Sequence, residues 1–202
     1  MRAATIALIS ALATIGMVAC ADDGEASSEP VQIAAFAEPT AHDGPSVGET
    51  IPDNFAAMDT HGSQRNLADL TGERGLVLVF NRSADWCSYC QSQMVSLDAI
   101  SDDLSERGYA LATISYDSTD ALASFRAREN ISYTMLSDEG SAMIDAFDLR
   151  DPNYGEESFA YGVPRPAILV IGSDGTVRVT MVETDYRVRP DNDDILAAID
   201  AL

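Results

Sequence analysis

Cys87 and Cys90 stand in the run Trp86-Cys87-Ser88-Tyr89-Cys90, after the apolar stretch Leu76–Phe80 and before an amphipathic segment. Cysteines at that spacing, where a strand hands over to a helix, can hold a disulfide that opens and closes readily. The helix N-terminus beside the first sulfur favours its thiolate, the form that attacks other sulfurs or peroxides. The placement predicts Cys87, at the loop–helix junction, as the exposed attacking sulfur. Cys90, one turn further in, is then the buried sulfur that resolves a mixed disulfide. The chemistry expected is thiol redox, carried by the pair itself with no cofactor. Zinc would need two more ligands, and His42 and His61 lack ligand spacing, so no metal is expected. A loop this short removes little chain entropy when closed, which weighs against a purely structural bridge.

The chain's 202 residues include 33 acids and 12 bases, for a formal charge of -21 at pH 7, and 46% are hydrophobic. That hydrophobic fraction suits a globular protein long enough to bury a core. The charge argues against nucleic acid or anionic lipid held through a basic face, because repulsion would oppose each contact. A solvated acidic surface accounts for it. Every base is arginine, which excludes Schiff-base and P-loop lysine chemistry. With no ammonium near the cysteines, thiolate stabilisation has to come from helix amides or from an arginine.

Residues 1–20 read as an export signal. Arg2 is the charged start, Ala3–Val18 an uncharged apolar stretch, and Ala19-Cys20 its close. The stretch is too short and too rich in alanine for a membrane span. Met17-Val18-Ala19-Cys20 resembles the bacterial lipobox, with Met where Leu is usual; the resemblance implies lipidation of Cys20 and a membrane anchor. A secretory signal or membrane anchor with an incidental cysteine is the alternative. Either way the domain is expected to be exported, periplasmic or on the outer surface, where disulfides persist. Residues 21–46, made of Ala, Asp, Glu, Ser, Pro and Gly with few large apolar groups, read as a flexible acidic tether. Residues 47–202 read as one domain.

Within that domain, Phe55–Asp59 and Gln64–Leu67 flank His61-Gly62 and predict a small hairpin. The unbroken apolar run Leu76–Phe80 predicts a central strand covered on both faces. Cys90, Met94, Leu97, Ile100 and Leu104 recur at helical spacing as far as Gly108. Tyr109–Ser115 predicts a second strand, and Ser118 caps a helix reaching Asn130 with Leu122, Phe125 and Ala121 inward. A short helix over Ser141–Phe147 follows, then an antiparallel pair, Pro166–Ile171 and Thr176–Val182, around Ser173-Asp174-Gly175. Pro190-Asp191 opens a last helix. The order is that of an α/β thioredoxin-like fold: a central mixed sheet flanked by helices, with an N-terminal hairpin extension.

Gly48–Phe55, Leu67–Leu70, Val77–Phe80, Asn81–Cys90, Ile114–Ser118, Leu136–Asp138 and Gly162–Ala167 with Asp174-Gly175 together resemble the redoxin family. That family comprises alkyl hydroperoxide reductases and thiol-specific antioxidant proteins, and grades into membrane-bound thiol:disulfide oxidoreductases. The resemblance implies a proline facing the cysteine pair in the cis form; spacing to Asp174-Gly175 favours Pro166 over Pro164. It places Arg165 near the arginine that stabilises thiolate and peroxide in peroxiredoxins, or else on the surface beside the active-site proline. Trp86 is expected to pack as a lid over the disulfide. Departures from the family matter too. Typical peroxiredoxins resemble P-x-x-x-T-x-x-C at the peroxide-reacting cysteine, and here Ser83 stands for the proline and Cys87 for the threonine, with Cys90 as that cysteine. Asn81 occupies the place of the buried acid of thioredoxins and cannot act as its base.

The reading with most support is an exported thiol:disulfide oxidoreductase in which Cys87 attacks and Cys90 resolves. A peroxiredoxin-like peroxidase assisted by Arg165, and a redox-sensing lipoprotein without turnover, are the alternatives. The partners expected are a protein disulfide or thiol, or a hydroperoxide, together with a thiol reductant.

Overall fold

The computed structural model describes residues 44–202. The segment expected to be an export signal, Cys20, His42 and the part of the expected tether before residue 44 lie outside the described residues. In chain order the elements are β1 (Ala57–Asp59), β2 (Gln64–Arg65), α1 (Leu67–Leu70), β3 (Gly75–Phe80), α2 (Ser88–Asp98), α3 (Ser101–Glu106) and β4 (Tyr109–Ser115). There follow α4 (Thr119–Glu129), β5 (Thr134–Ser137), α5 (Ala142–Ala146), β6 (Ala167–Gly172), β7 (Val177–Val182) and α6 (Asn192–Asp200). The strands form one mixed sheet in the order β2-β1-β5-β4-β3-β6-β7. β3 runs parallel to β4 and antiparallel to β6.

Alternate residues of β3 feed cores on opposite faces of the sheet. Val77 and Val79 pack with Met94 and Leu97 of α2, Leu104 of α3, Leu122 and Phe125 of α4, and Ile195 and Ile199 of α6. Leu76, Leu78 and Phe80 pack with Ile51, Phe55, Leu70, Met143, Ile144 and Phe147 on the other face. Burial on both sides is why β3 reads as a continuous apolar run rather than an alternating one. The run starts at Gly75 because a Cβ there would drive into the Ile171 carbonyl oxygen of β6 and the Tyr109 ring.

The mixed sheet, its helical layers and the N-terminal hairpin agree with the expected fold, and two elements differ. The helix expected from Cys90 to Gly108 is interrupted at Ala99 and Ile100, where Ile100 has φ -108° and ψ 5°. Polar side chains compete for the backbone there. The Asp98 carboxylate accepts from the Ser132 N–H and hydroxyl at 2.7 and 2.8 Å, and Ser101 Oγ donates to the Asp98 carbonyl at 2.9 Å. The break still leaves Ile100 and Leu104 buried against the sheet. The second difference is β5, inserted between β1 and β4. It has no polar–apolar alternation, because Met135, Leu136 and Ser137 are all buried.

Sheet register sets the site. Phe80 at the end of β3 is level with Ile114 of β4 and with Ala167 at the start of β6, and Ala167 is level with Val182 at the end of β7. The segments continuing from these positions (Asn81–Trp86, Tyr116–Asp117, Arg165–Pro166 and Glu183–Arg189) therefore leave the sheet at one end.

Candidate active site

Cys87 and Cys90 are joined in a disulfide with their Cα atoms 5.3 Å apart. Cys87 is the N-cap of α2 in extended conformation, and its sulfur accepts the Cys90 N–H at 3.3 Å. The helix amides thus point at Cys87, which favours negative charge on that sulfur once the bond is opened. The burial differs from expectation: Cys87 is only 4% exposed and Cys90 not at all. Cys87, expected to be the exposed sulfur, is nearly covered, since both cysteines belong to the apolar cluster with Ala84 and Met94.

The loop that carries Cys87 is fixed from β4. Asp117 is buried, and its carboxylate accepts from Ser83 Oγ and Ala84 N–H at 2.7 Å and from Ser115 Oγ at 2.8 Å. Ser83 Oγ in turn accepts from the N–H groups of Asp85 and Trp86 at 2.9 and 3.2 Å. Gln91 Nε2 reaches back from α2 to the Ala84 and Asp85 carbonyls at 2.8 and 3.0 Å. In Asp117→Asn the charge is lost and, whichever way the amide turns, a donor replaces one of the two acceptor oxygens. The variant is expected to lose about 2 kcal/mol of stability, read as a lower urea midpoint at unchanged slope.

Beneath the loop lies Arg82, 2% exposed, which pairs with buried Asp151 at 2.9 Å. Its guanidinium lies 4.7 Å from the ring centroids of Tyr154 and Tyr186 and 5.7 Å from that of Trp86. Trp86 packs edge-on to exposed Phe159 and donates from Nε1 to the Tyr116 hydroxyl at 3.1 Å. Burial pushes that hydroxyl's pKa up, so Tyr116 stays a protonated phenol at neutral pH. Tyr89, between the cysteines, packs edge-on to Tyr186. Trp86, Tyr89, Phe159 and Tyr186 are all exposed and so line the approach to the cysteines with aromatic surface. Tyr161 instead lies over Arg150.

A second arginine reaches the sulfur. Arg189 Nη2 is 3.4 Å from Cys90 Sγ, its Nε donates to Gln93 Oε1 at 2.9 Å, and its Nη1 donates to the carbonyls of Val188, at 2.7 Å, and Tyr186. Burial pulls Arg189 down to about 10, helped by the nearby charge of Arg82 and opposed by Glu183 and Asp185. It therefore remains cationic at neutral pH.

The other expected residues fall nearby. Arg165 is half-buried at the entry to β6, its N–H donating to the Leu149 carbonyl at 2.7 Å. Pro166 is buried beside it, and the cis form expected there is not adopted: every described peptide bond is trans. The Pro166 carbonyl accepts the Glu183 N–H at 3.0 Å, so the chain enters β6 as regular extended strand. Nothing in that path opposes the trans preference of about 0.5–1 kcal/mol for a bond before proline. Asn81 is fully buried, with neither its side-chain oxygen nor its nitrogen hydrogen-bonded within the protein. His61 is exposed at the hairpin turn, and no described cluster of three or more His, Cys, Asp or Glu could hold a metal ion.

Sequence reasoning missed Arg82, Asp117 and Arg189. Arg82 carried a signal, since an arginine two residues after an apolar strand is either exposed at once or buried with a partner. Arg189 carried none, as it lies 99 residues from the cysteine it touches.

Residues 47–180 match the family described as AhpC/TSA. The chain is 30% identical over 153 residues to "Peroxiredoxin Bcp" of Escherichia coli, covering 74% of this chain and 92% of that protein. It is 27% identical over 133 residues to "Thiol-disulfide oxidoreductase ResA" of Bacillus thuringiensis, covering 65% of this chain and 66% of that one. In three dimensions it resembles the crystal structure of peroxidoxin BcpB from Mycobacterium tuberculosis, with a TM-score of 0.66 at 22% identity over 77% of this chain and 97% of that chain.

Proposed function

The chain belongs to the AhpC/TSA family and is a thiol-dependent oxidoreductase, and we propose that it works by thiol–disulfide exchange through Cys87 and Cys90. The observation that carries this reading is the bond itself. The two sulfurs are linked across the first turn of α2, with Cys87 at the helix N-cap. In the reducing direction the Cys87 thiolate attacks a substrate disulfide, forming a mixed disulfide and expelling one substrate thiolate. The Cys90 thiolate then attacks Cys87 Sγ, closing the Cys87–Cys90 bond and releasing the second substrate thiolate. An external thiol reductant returns two electrons to the pair, and no further cofactor enters the cycle. The exposed aromatic side chains around the pair, Trp86 among them, suit a protein substrate, with buried Pro166 proposed to position its chain. The reading of residues 1–20 as an export signal ending at Cys20 supports action outside the cytoplasm, from a membrane anchor.

Peroxide reduction is the second reading. The similarity to a peroxiredoxin favours it, as does a guanidinium against the Cys90 sulfur. Against it, Cys87 stands where peroxiredoxins resemble one another in a threonine. Ser83, in place of the proline, has its hydroxyl engaged by Asp117.

One comparison separates the two readings. The protein is given hydrogen peroxide or a protein disulfide, with dithiothreitol as reductant in both. The exchange reading expects catalytic cleavage of the protein disulfide, with peroxide consumed no faster than by the reductant alone. Rapid peroxide consumption without disulfide cleavage would replace it with the peroxidase reading.

A further inference from the structure

We propose that Arg189 is a catalytic residue that holds the Cys90 sulfur as a thiolate, both when that sulfur leaves and when it attacks. The proposal rests on the exchange reading above and adds a residue to it.

The two sulfurs are served differently. Cys87 faces the amides of α2, whereas Cys90, inside the helix, has its own N–H directed at Cys87. Its thiolate therefore needs a donor from elsewhere, and the chain has no lysine to supply one. Arg189 Nη2, at 3.4 Å, is that donor. The guanidinium is oriented by neutral acceptors: Gln93 Oε1, on the same face of α2 as Cys90, and the Tyr186 and Val188 carbonyls. None of these cancels its charge.

The surrounding charges leave that cation available. Asp185 is engaged bidentately by Arg187, and Arg82 is paired with Asp151. Glu183 acts on Arg189 only at longer range, and burial raises its own pKa. No described carboxylate forms an ion pair with Arg189. Its charge is held for the sulfur, in a place half-shielded from water where such a contact is strengthened.

The steps balance as follows. During regeneration the reductant's thiolate attacks Cys87 Sγ, the Cys87–Cys90 bond breaks, and its electron pair stays on Cys90 as a thiolate beside Arg189. A second thiolate of the reductant then attacks the sulfur already bound to Cys87, releasing the Cys87 thiolate and the oxidised reductant. During substrate reduction the Cys90 thiolate donates an electron pair to Cys87 Sγ and the substrate thiolate leaves. Arg189 lowers the cost of the first event and keeps Cys90 deprotonated for the last. It substitutes charge stabilisation for the proton acceptor that Asn81 cannot be.

The test uses the full chain carrying Cys20→Ser and Cys87→Ser, in which Cys90 is the single thiol. Its thiolate is followed by absorbance near 240 nm as pH is raised, a readout that needs neither substrate nor access to the sulfur. Adding Arg189→Met is expected to move the titration midpoint up by about one unit, and Arg189→Lys to restore part of the shift. If Arg189→Met does not fold, Arg189→Gln keeps the polar contacts without the charge and is expected to show the same upward move. An unchanged midpoint in a folded neutral variant overturns the proposal. In the wild-type background, at a pH above both midpoints, Arg189→Met is also expected to shift the equilibrium with glutathione about tenfold toward the disulfide. Failure of the wild-type protein to reduce any disulfide, with the Arg189-dependent midpoint still present in the single-thiol protein, would sink the exchange reading and leave the Arg189–Cys90 contact standing.

Discussion

Cys87→Ser is expected to lower disulfide reductase turnover by about 10³-fold or more, because a hydroxyl cannot replace the thiolate that attacks the substrate sulfur. The geometry makes the two cysteines unequal in this test. Cys87 sits at the N-cap with the Cys90 N–H directed at its sulfur, while Cys90 is fully buried one turn inside α2. Cys90→Ser should therefore still attack once and stop at the mixed disulfide, giving no turnover but a covalent product. Both variants are checked by steady-state reduction of a protein disulfide and by mass spectrometry of the protein after reaction. If instead Cys87→Ser stops at a mixed disulfide on Cys90 while Cys90→Ser forms no adduct, the assignment of attacking and resolving sulfurs is reversed.

Arg82→Met is expected to destabilise the fold by about 3–5 kcal/mol, because it leaves the buried Asp151 carboxylate without its counter-charge. Asp151 keeps the Asn153 N–H and Nδ2 at 3.0 and 2.9 Å, which places the loss toward the lower end of that range. The guanidinium also lies against the rings of Tyr154, Tyr186 and Trp86, so its removal loosens the aromatic rim as well as the ion pair. Equilibrium urea unfolding measures the first effect and Trp86 fluorescence the second. The double variant Arg82→Met with Asp151→Asn is expected to recover part of the lost stability. A single variant within about 0.5 kcal/mol of wild type would mean that the pair is not held as described.

What could be read from the chain alone follows what is local. The run Leu76–Phe80 announces β3 because both faces of the strand are buried, and Ser118 announces α4 because its hydroxyl caps Ala121 N–H at 3.3 Å. Cys87 and Cys90 are legible as a pair because one helical turn brings them together. The break at Ala99–Ile100 is not local in this sense: it depends on Asp98 meeting Ser132 from another part of the chain. β5 shows no period because both faces of the sheet are covered there, Met135 packing in one core and Leu136 in the other.

The same division holds at the site. Asp117 looked like one more residue of a family-like segment until β4 was set beside β3, which brings its carboxylate to Ser83 and Ala84. The absence of lysine already required helix amides or an arginine to stabilise a thiolate. Arg165 is the arginine to which the family resemblance points, whereas the guanidinium at the Cys90 sulfur belongs to Arg189, brought there by the segment leaving β7. Sequence could name the donor type; only the register of β6 and β7 with β3 could choose the residue.

The bond between Cys87 and a substrate sulfur is tested most directly by mixing reduced Cys90→Ser protein, in a Cys20→Ser background, with a protein disulfide and identifying any adduct by peptide mapping. The expected product is a mixed disulfide on Cys87 that dithiothreitol removes. Recovery of unmodified Cys87, with no adduct at equimolar substrate, would contradict it.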